Sequence, residues 1–177
     1  PLNVNDIVFG LGPMINAAGR LADARQAVQL LLSKDEIEAK ENANLLYQLN
    51  KMRKEIDLQI VQEAQFILEK DEEDDSLENQ KSVVLFQSHW HKGIVGIAAA
   101  RIVESHHRPT IILAESNGLA VGSARSVKGF NIHSAIKKCA DLLINFGGHA
   151  HAAGLTLKIE DVDLFREKFE IAVQETI

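Results

Sequence analysis

Hydrophobic and polar positions change period twice along this chain. After a start punctuated by Gly10, Gly12, Pro13 and Gly19, the residues Leu21, Ala24, Val28, Leu31 and Leu32 recur at helical spacing and predict a helix over 21–32. Ser33 and Glu36 then form a Ser-x-x-Glu capping box, in which the hydroxyl takes an orphan backbone N–H while the carboxylate reaches back. It announces a second helix. There, Leu45, Leu49, Met52, Ile56, Ile60, Ala64 and Ile67 step by three or four and make one narrow apolar stripe. A helix over 35–70 would reach about 54 Å at 1.5 Å per residue, longer than one small domain covers. It reads as a connector between two lobes or as a coiled-coil arm. Asp71-Glu72-Glu73-Asp74-Asp75 opposes the macrodipole and ends it in a solvated loop; a metal-binding acidic loop is the rival reading.

From about residue 81 the period shortens to that of strands. Ser82–Gln87, Pro109–Ala114, Leu119–Ser126 and Ala153–Ile159 are β-branched or alternating runs, and Asn117-Gly118 is a hairpin turn signal. Between them, Ile94, Ile97, Ala98 and Ile102 predict a helix over 93–105. Ile132, Ala135, Ile136, Cys139 and Leu143 predict another, closed by Gly147-Gly148, and Val162, Phe165, Phe169, Ala172 and Val173 a last one. The expected fold class is α/β: a small β-α-β-β-α-β-α sheet domain preceded by the long connecting helix.

Composition adds three restrictions. With 46% apolar and 25% charged residues in 177, the chain suits one ordinary domain or two small ones, and no run is long enough to span a membrane. The start shows no secretory signal and no initiator Met, which suits a piece of something longer. The single Cys139 excludes an intrachain disulfide framework and fits a reducing, cytoplasmic setting. The net charge of −6 conceals a segregation: residues 81–158 hold nine basic and three acidic side chains, a net +6, and all seven histidines. That stretch could meet an anion, or the surface charge is merely uneven.

Four segments carry candidate chemistry. In Phe146–Gly154 (FGGHAHAAG), Gly147 and Gly148 allow close backbone approach, and a nest of N–H groups beside His149 suits an anion; a helix C-cap with a packing turn is the plainer reading. In Gly122–Ser126, Ser123 and Arg125 share a strand face, where hydroxyl and guanidinium suit a phosphate, with Ser126 beside them. In His89-Trp90-His91-Lys92-Gly93, two histidines precede a helix N-terminus that favours anions; His91 is the nearer candidate. A zinc site of four histidines, with His149 and His151, competes, but no Cys pair or Glu-x-x-His pattern supports it. Gly10–Arg20 reads as a tight loop, structural or binding, with Arg20 at a helix start.

Taken together, GPMINAAGR, WHKGIVGIAAARIVE followed by RPTIIL, GSARSVKGF and FGGHAHAAG resemble, in order and spacing, the RecJ family of single-strand-specific DNA exonucleases in the DHH phosphoesterase superfamily. The resemblance covers nearly the whole chain. It implies that residues 1–34 are the tail of the DHH catalytic domain, 35–76 the connecting helix with its acidic loop, and 77–177 the DHH-associated nucleic-acid-binding domain. It implies that Ser123, Arg125, Gly147, Gly148 and His149 line the nucleic-acid face, with Asn16 and Arg20 across a cleft. It further implies a 5′-to-3′ exonuclease of DNA repair and recombination, using Mn2+ or Mg2+ in the full-length protein. Single-stranded DNA is its implied partner, with a single-strand-binding protein and a helicase beyond it.

The DHH signature itself is absent; Ser105-His106-His107 is the nearest string, so no metal and no catalytic residue is expected in this chain. Met14 stands where the family pattern has Arg, which leaves one cationic contact unaccounted for. The OB-fold that follows in many members is missing. A nanoRNase or cyclic-dinucleotide phosphodiesterase of the same superfamily shares the Gly-Gly-His segment. A binding module without chemistry is the reading from a different class.

Overall fold

The computed structural model describes residues 3–72 and 80–176, and the chain divides into two units, Pro1–Ile56 and Asp57–Ile177. The first is all-helical. A π-helical segment, Asp6–Leu11, is entered through reciprocal bonds between Asn3 and Asp6, in which each backbone N–H donates to the other's side chain. It runs into α1 (Gly12–Leu21), followed by α2 (Arg25–Leu32). The expectation of a tight loop at 10–20 therefore gives way to helix. Pro13 sits in the first turn of α1, where its missing N–H costs nothing. Arg20 lies in the last turn of α1 and not at a helix start. The helix expected over 21–32 is interrupted at residues 22–24, where Asp23 accepts the Arg25 N–H (2.9 Å) and starts α2.

The third helix, α3 (Glu36–Glu72), begins in the first unit and ends in the second. Its cap is not the Ser33/Glu36 box. Asp35 Oδ1 accepts the N–H groups of Ile37 and Glu38, both at 2.9 Å, while Ser33 Oγ bonds the Asp35 carbonyl and Glu38. The single apolar stripe is also corrected. Leu46 is buried in the first unit with Ala18 and Ala27, whereas Leu45 and Met52 are exposed; in the second unit Asp57, Ile60, Val61, Ala64 and Leu68 are buried. α3 is described as far as Glu72; the loop expected from the acidic run lies at positions 73–79, outside the described residues.

The second unit is built on a five-stranded sheet in the order β1-β2-β3-β5-β4. Its elements are β1 (Val83–Gln87), α4 (Val95–His106), β2 (Thr110–Ser116), β3 (Leu119–Arg125), α5 (Ile132–Lys137), β4 (Leu143–His149), β5 (Ala152–Lys158) and α6 (Val162–Gln174). β1 and β2 are parallel and the other pairs antiparallel, so the α/β expectation holds. Asn117 and Gly118, both at positive φ (54° and 75°), close the β2–β3 hairpin with a twist that matches the strands.

One strand was not expected. The helix read over 132–143 stops at Lys137, and Leu143–His149, read as its glycine-capped end, is strand β4. At Gly148 (φ 149°) a Cβ would run into the Ala152 carbonyl oxygen and Ala153, so only glycine lets β4 lie this close to β5.

One sheet face is buried under α5 and α6. Ile111, Leu113, Ala120, Ala124, Leu155 and Leu157 pack there against Ile132, Ile136 and the stacked rings of Phe165 and Phe169, 5.8 Å apart. Each fully buried side chain of this size contributes about 1.5–3 kcal/mol. Cys139 joins this core, and burial pushes its thiol up to about 11, so it is unreactive at neutral pH. The two sheet edges differ. At β1, side chains of α6 reach the edge: Arg166 Nε donates to the Val84 carbonyl (3.0 Å), and Glu170 accepts the N–H groups of Lys81 and Ser82 just before the strand (2.8 and 2.9 Å). No described strand lies beyond β4, where Ile144 is exposed.

Candidate nucleic-acid interface

The other face of the sheet is only half covered. α4 packs over β2 and β3, and the β5–β4 side beyond it stays open. Cross-strand partners share a face, so the register decides what lies on that opening. Ser123 pairs with Gly154 and Gly154 with Gly147; Arg125 pairs with Ala152 and Ala152 with His149; Val121 pairs with Thr156 and Thr156 with Asn145. Three rows thus run across β3, β5 and β4. The middle row has a hydroxyl at one end and then two glycines.

A Cβ on Gly147 would meet nothing within 4 Å, and one on Gly154 only the Gly122 carbonyl oxygen at 3.9 Å. The floor is therefore bare backbone, in a hollow of about 350 Å³ lined by Val121, Asn145, Phe146, Gly147, Gly154 and Thr156. At one side stand Arg125 and the exposed His149. His149 Nδ1 accepts the His151 N–H (3.2 Å), which leaves Nε2 as the donor nitrogen of the neutral ring. Arg125 Nη1 donates to the Ala124 carbonyl (2.8 Å).

At the β3 side the groove meets the first turn of α4. A Cβ built on Gly96 would lie 2.8 Å from Arg125 Nη2 and 3.0 Å from Ser123 Oγ. Only a hydrogen at position 96 lets the Ser/Arg pair lie flat against that turn. The turn has no side-chain cap of its own; the His91 carbonyl accepts the N–H groups of Ile94 and Val95. The Ile97 and Ala98 N–H groups donate to the Ile94 carbonyl, so this turn meets the groove through the bed it gives Ser123 and Arg125.

The nine expected site residues distribute as follows. Ser123, Arg125, Gly147 and His149 come together on one face. Gly148 belongs to the opposite face and serves strand packing. Ser126 lies past the end of β3, where its hydroxyl donates to the Phe130 carbonyl (2.7 Å) and closes the 126–130 loop. His91 is half-buried in the turn before α4, its Nδ1 accepting the Gly93 N–H (3.1 Å). His89 and His91 do not form an extended pair: His89 Nε2 lies 2.6 Å from Glu63 Oε2. Asn16 and Arg20 are exposed on α1, four residues apart, in the first unit. Gly96, Gly154 and Asn145 were not anticipated. Alternation back from His149 would have found Asn145, but nothing local in the sequence distinguishes Gly96 from a helix-packing glycine. Among the described residues no group of three His, Cys, Asp or Glu side chains converges to hold a metal ion.

The chain has known relatives. The DHHA1 domain matches residues 79–175, and the chain belongs to that family. Over nearly its whole length it is similar to RecJ. The single-stranded-DNA-specific exonuclease RecJ of Bacillus subtilis (strain 168) is 40% identical over 177 residues, covering 99% of this chain and 22% of its own length. The crystal structure of RecJ in complex with Mg2+ from Thermus thermophilus aligns with a TM-score of 0.84 at 30% identity, over 97% of this chain and 26% of that one. The Mn2+ complex from the same organism aligns at 0.85 and 29%, over 97% and 25%. This chain thus spans about a quarter of the length of the relatives it matches.

Proposed function

We propose that this chain is the substrate-gripping part of a RecJ-like 5′-to-3′ single-stranded-DNA exonuclease, and that the open rows of β3, β5 and β4 hold the DNA backbone. On this reading residues 1–34 are the tail of the DHH catalytic domain, 35–76 connect, and 77–177 grip. Asn16, Arg20 and His91 are further contacts, and a single-strand-binding protein and a helicase act with the enzyme in DNA repair and recombination in the cytoplasm. The single observation that carries the reading is the row Ser123–Gly154–Gly147 beside Arg125 and His149. A hydroxyl, a guanidinium and an imidazole N–H edge a floor of bare backbone. Those groups suit a phosphodiester, because charge-assisted bonds to a phosphate are short and directional while the glycines let the strand lie close. Phosphate contacts carry no sequence information, which suits a nuclease that must pass every sequence.

The related RecJ structures contain Mg2+ or Mn2+, and the described residues of this chain do not supply a metal-binding cluster. No step of hydrolysis is therefore assigned to these residues; their part is to bind the strand and fix its path.

Gly147→Val tests the reading. The added Cβ meets nothing within 4 Å, so the melting temperature should stay within a few degrees, while binding to oligothymidylate should weaken about tenfold or more through blocked access to the floor. Unchanged affinity in a folded variant would put the strand elsewhere. Comparing long oligonucleotides with dinucleotides in the same titration separates an exonuclease grip from a dinucleotide pocket.

A further inference from the structure

The turn that starts α4 is held from outside. Glu63, on the part of α3 that belongs to the second unit, places Oε2 2.7 Å from Trp90 Nε1, which donates to it, and 2.6 Å from His89 Nε2. Its other oxygen accepts from Gln59 Nε2 at 2.8 Å. Trp90 is buried and is the one tryptophan in the chain. Its backbone N–H donates to the Gln87 carbonyl, and the next residue, His91, gives its carbonyl to Ile94 and Val95. A continuous path of bonds thus leads from the Glu63 carboxylate through residues 89–91 to the first turn of α4. Against that turn lie Ser123 and Arg125, packed over the bare Gly96.

A second tie steadies the same helix further along. Arg101 Nη2 lies 3.1 Å from Oδ2 of the fully buried Asp57. This ion pair fixes the body of α4 to α3, about a turn and a half beyond the start that faces the groove. Glu63 acts on the residues that lead into that start, and its own bonds go to Gln59, His89 and Trp90.

We propose that Glu63 is a positioning residue of the DNA grip: through His89 and Trp90 it sets the turn that begins α4, and with it the bed over Gly96 on which Ser123 and Arg125 are held for the phosphate. The inference rests on the groove reading and goes beyond it, because it makes a residue far in sequence from the groove part of one binding unit. Residues that serve one phosphate are coupled, whereas a residue that merely stabilises the fold acts additively with Arg125.

The test is a double-mutant cycle read by the anisotropy of an end-labelled oligothymidylate of about twelve nucleotides. Glu63→Ala should weaken binding about fivefold in the parent and less than about twofold in an Arg125→Ala background. Glu63→Gln should recover most of that loss, since an amide oxygen can still accept from Trp90 and His89 while Gln59 turns its own oxygen towards the new amide. Trp90→Phe removes the Nε1 donor and, with it, part of the buried ring. It should reproduce part of the loss, again in the parent alone, and it carries the cycle if Glu63→Ala does not fold. Equal losses in both backgrounds, with Arg125→Ala itself weak, would overturn the positioning role and leave the groove standing. An Arg125→Ala variant that binds like the parent would overturn the groove reading and this inference with it.

Discussion

Arg125 and His149 flank the same row from opposite strands, but they offer different bonds. Arg125 presents a planar fork of donors that stays charged, whereas His149, with Nδ1 taken by the His151 N–H, has only Nε2 to offer. Arg125→Ala should therefore weaken binding to oligothymidylate at pH 8 by about 1.5–3 kcal/mol, and His149→Ala by about 1 kcal/mol. Titrations of both variants check the ranking; a larger loss at His149 would make the β4 side the main grip. Glu63 gives a prediction in acid. Hydrogen bonds from Gln59, and then from Trp90 and His89, hold its carboxyl below the usual 4.5. A carboxyl lowered by folding contributes stability that is complete above its unfolded value and drains away as pH falls through the folded one. Melting temperatures taken from about pH 6 down to about pH 3 should fall more steeply for the parent than for Glu63→Gln. Parallel curves would show that the carboxylate is not held in this way.

At the scale of elements, two glycines in the sheet make opposite demands. A Cβ on Gly122 of β3 would run into the Ile112 carbonyl oxygen, which is backbone and cannot move aside, so Gly122→Ala should cost about 2 kcal/mol or more. Gly147→Ala, in open space, should be close to neutral, and thermal unfolding of the pair checks the contrast. The same distinction between local and cross-strand demands explains what could be read in advance. β1, β2, β3 and β5 were legible because β-branched runs and the Asn-Gly turn are local signals. β4 was not, because Cys139 and Leu143 continue the period of α5 by coincidence and Gly147-Gly148 mimics a helix end; only pairing with β5 makes that segment a strand. Likewise Gly10, Gly12 and Pro13 read as a loop, yet Pro at a helix start and two tolerated glycines leave α1 intact. Of the site, Ser123 and Arg125 were visible as residue types at strand spacing, and His149 as a donor beside a glycine turn. Their alignment into rows was not, since register is a property of three strands at once.

For the whole molecule, the net charge of −6 is a poor guide to binding, because the stretch 81–158 alone carries nine basic and three acidic side chains. Three or four phosphate contacts on the groove would give a slope of log K against log salt of about −2 to −3 for a single strand. Affinities measured across a salt series check this, and a flat line would remove the electrostatic part of the grip. The two sheet edges carry a different consequence. Arg166 of α6 holds the Val84 carbonyl on the outer edge of β1, while β4 ends the sheet with an exposed Ile144 and no described strand beyond it. An uncovered strand edge is a template for another strand, and one edge meeting its own copy gives a symmetric pair. Edge-to-edge association of this unit at high concentration would therefore begin at β4, joining two copies β4 to β4.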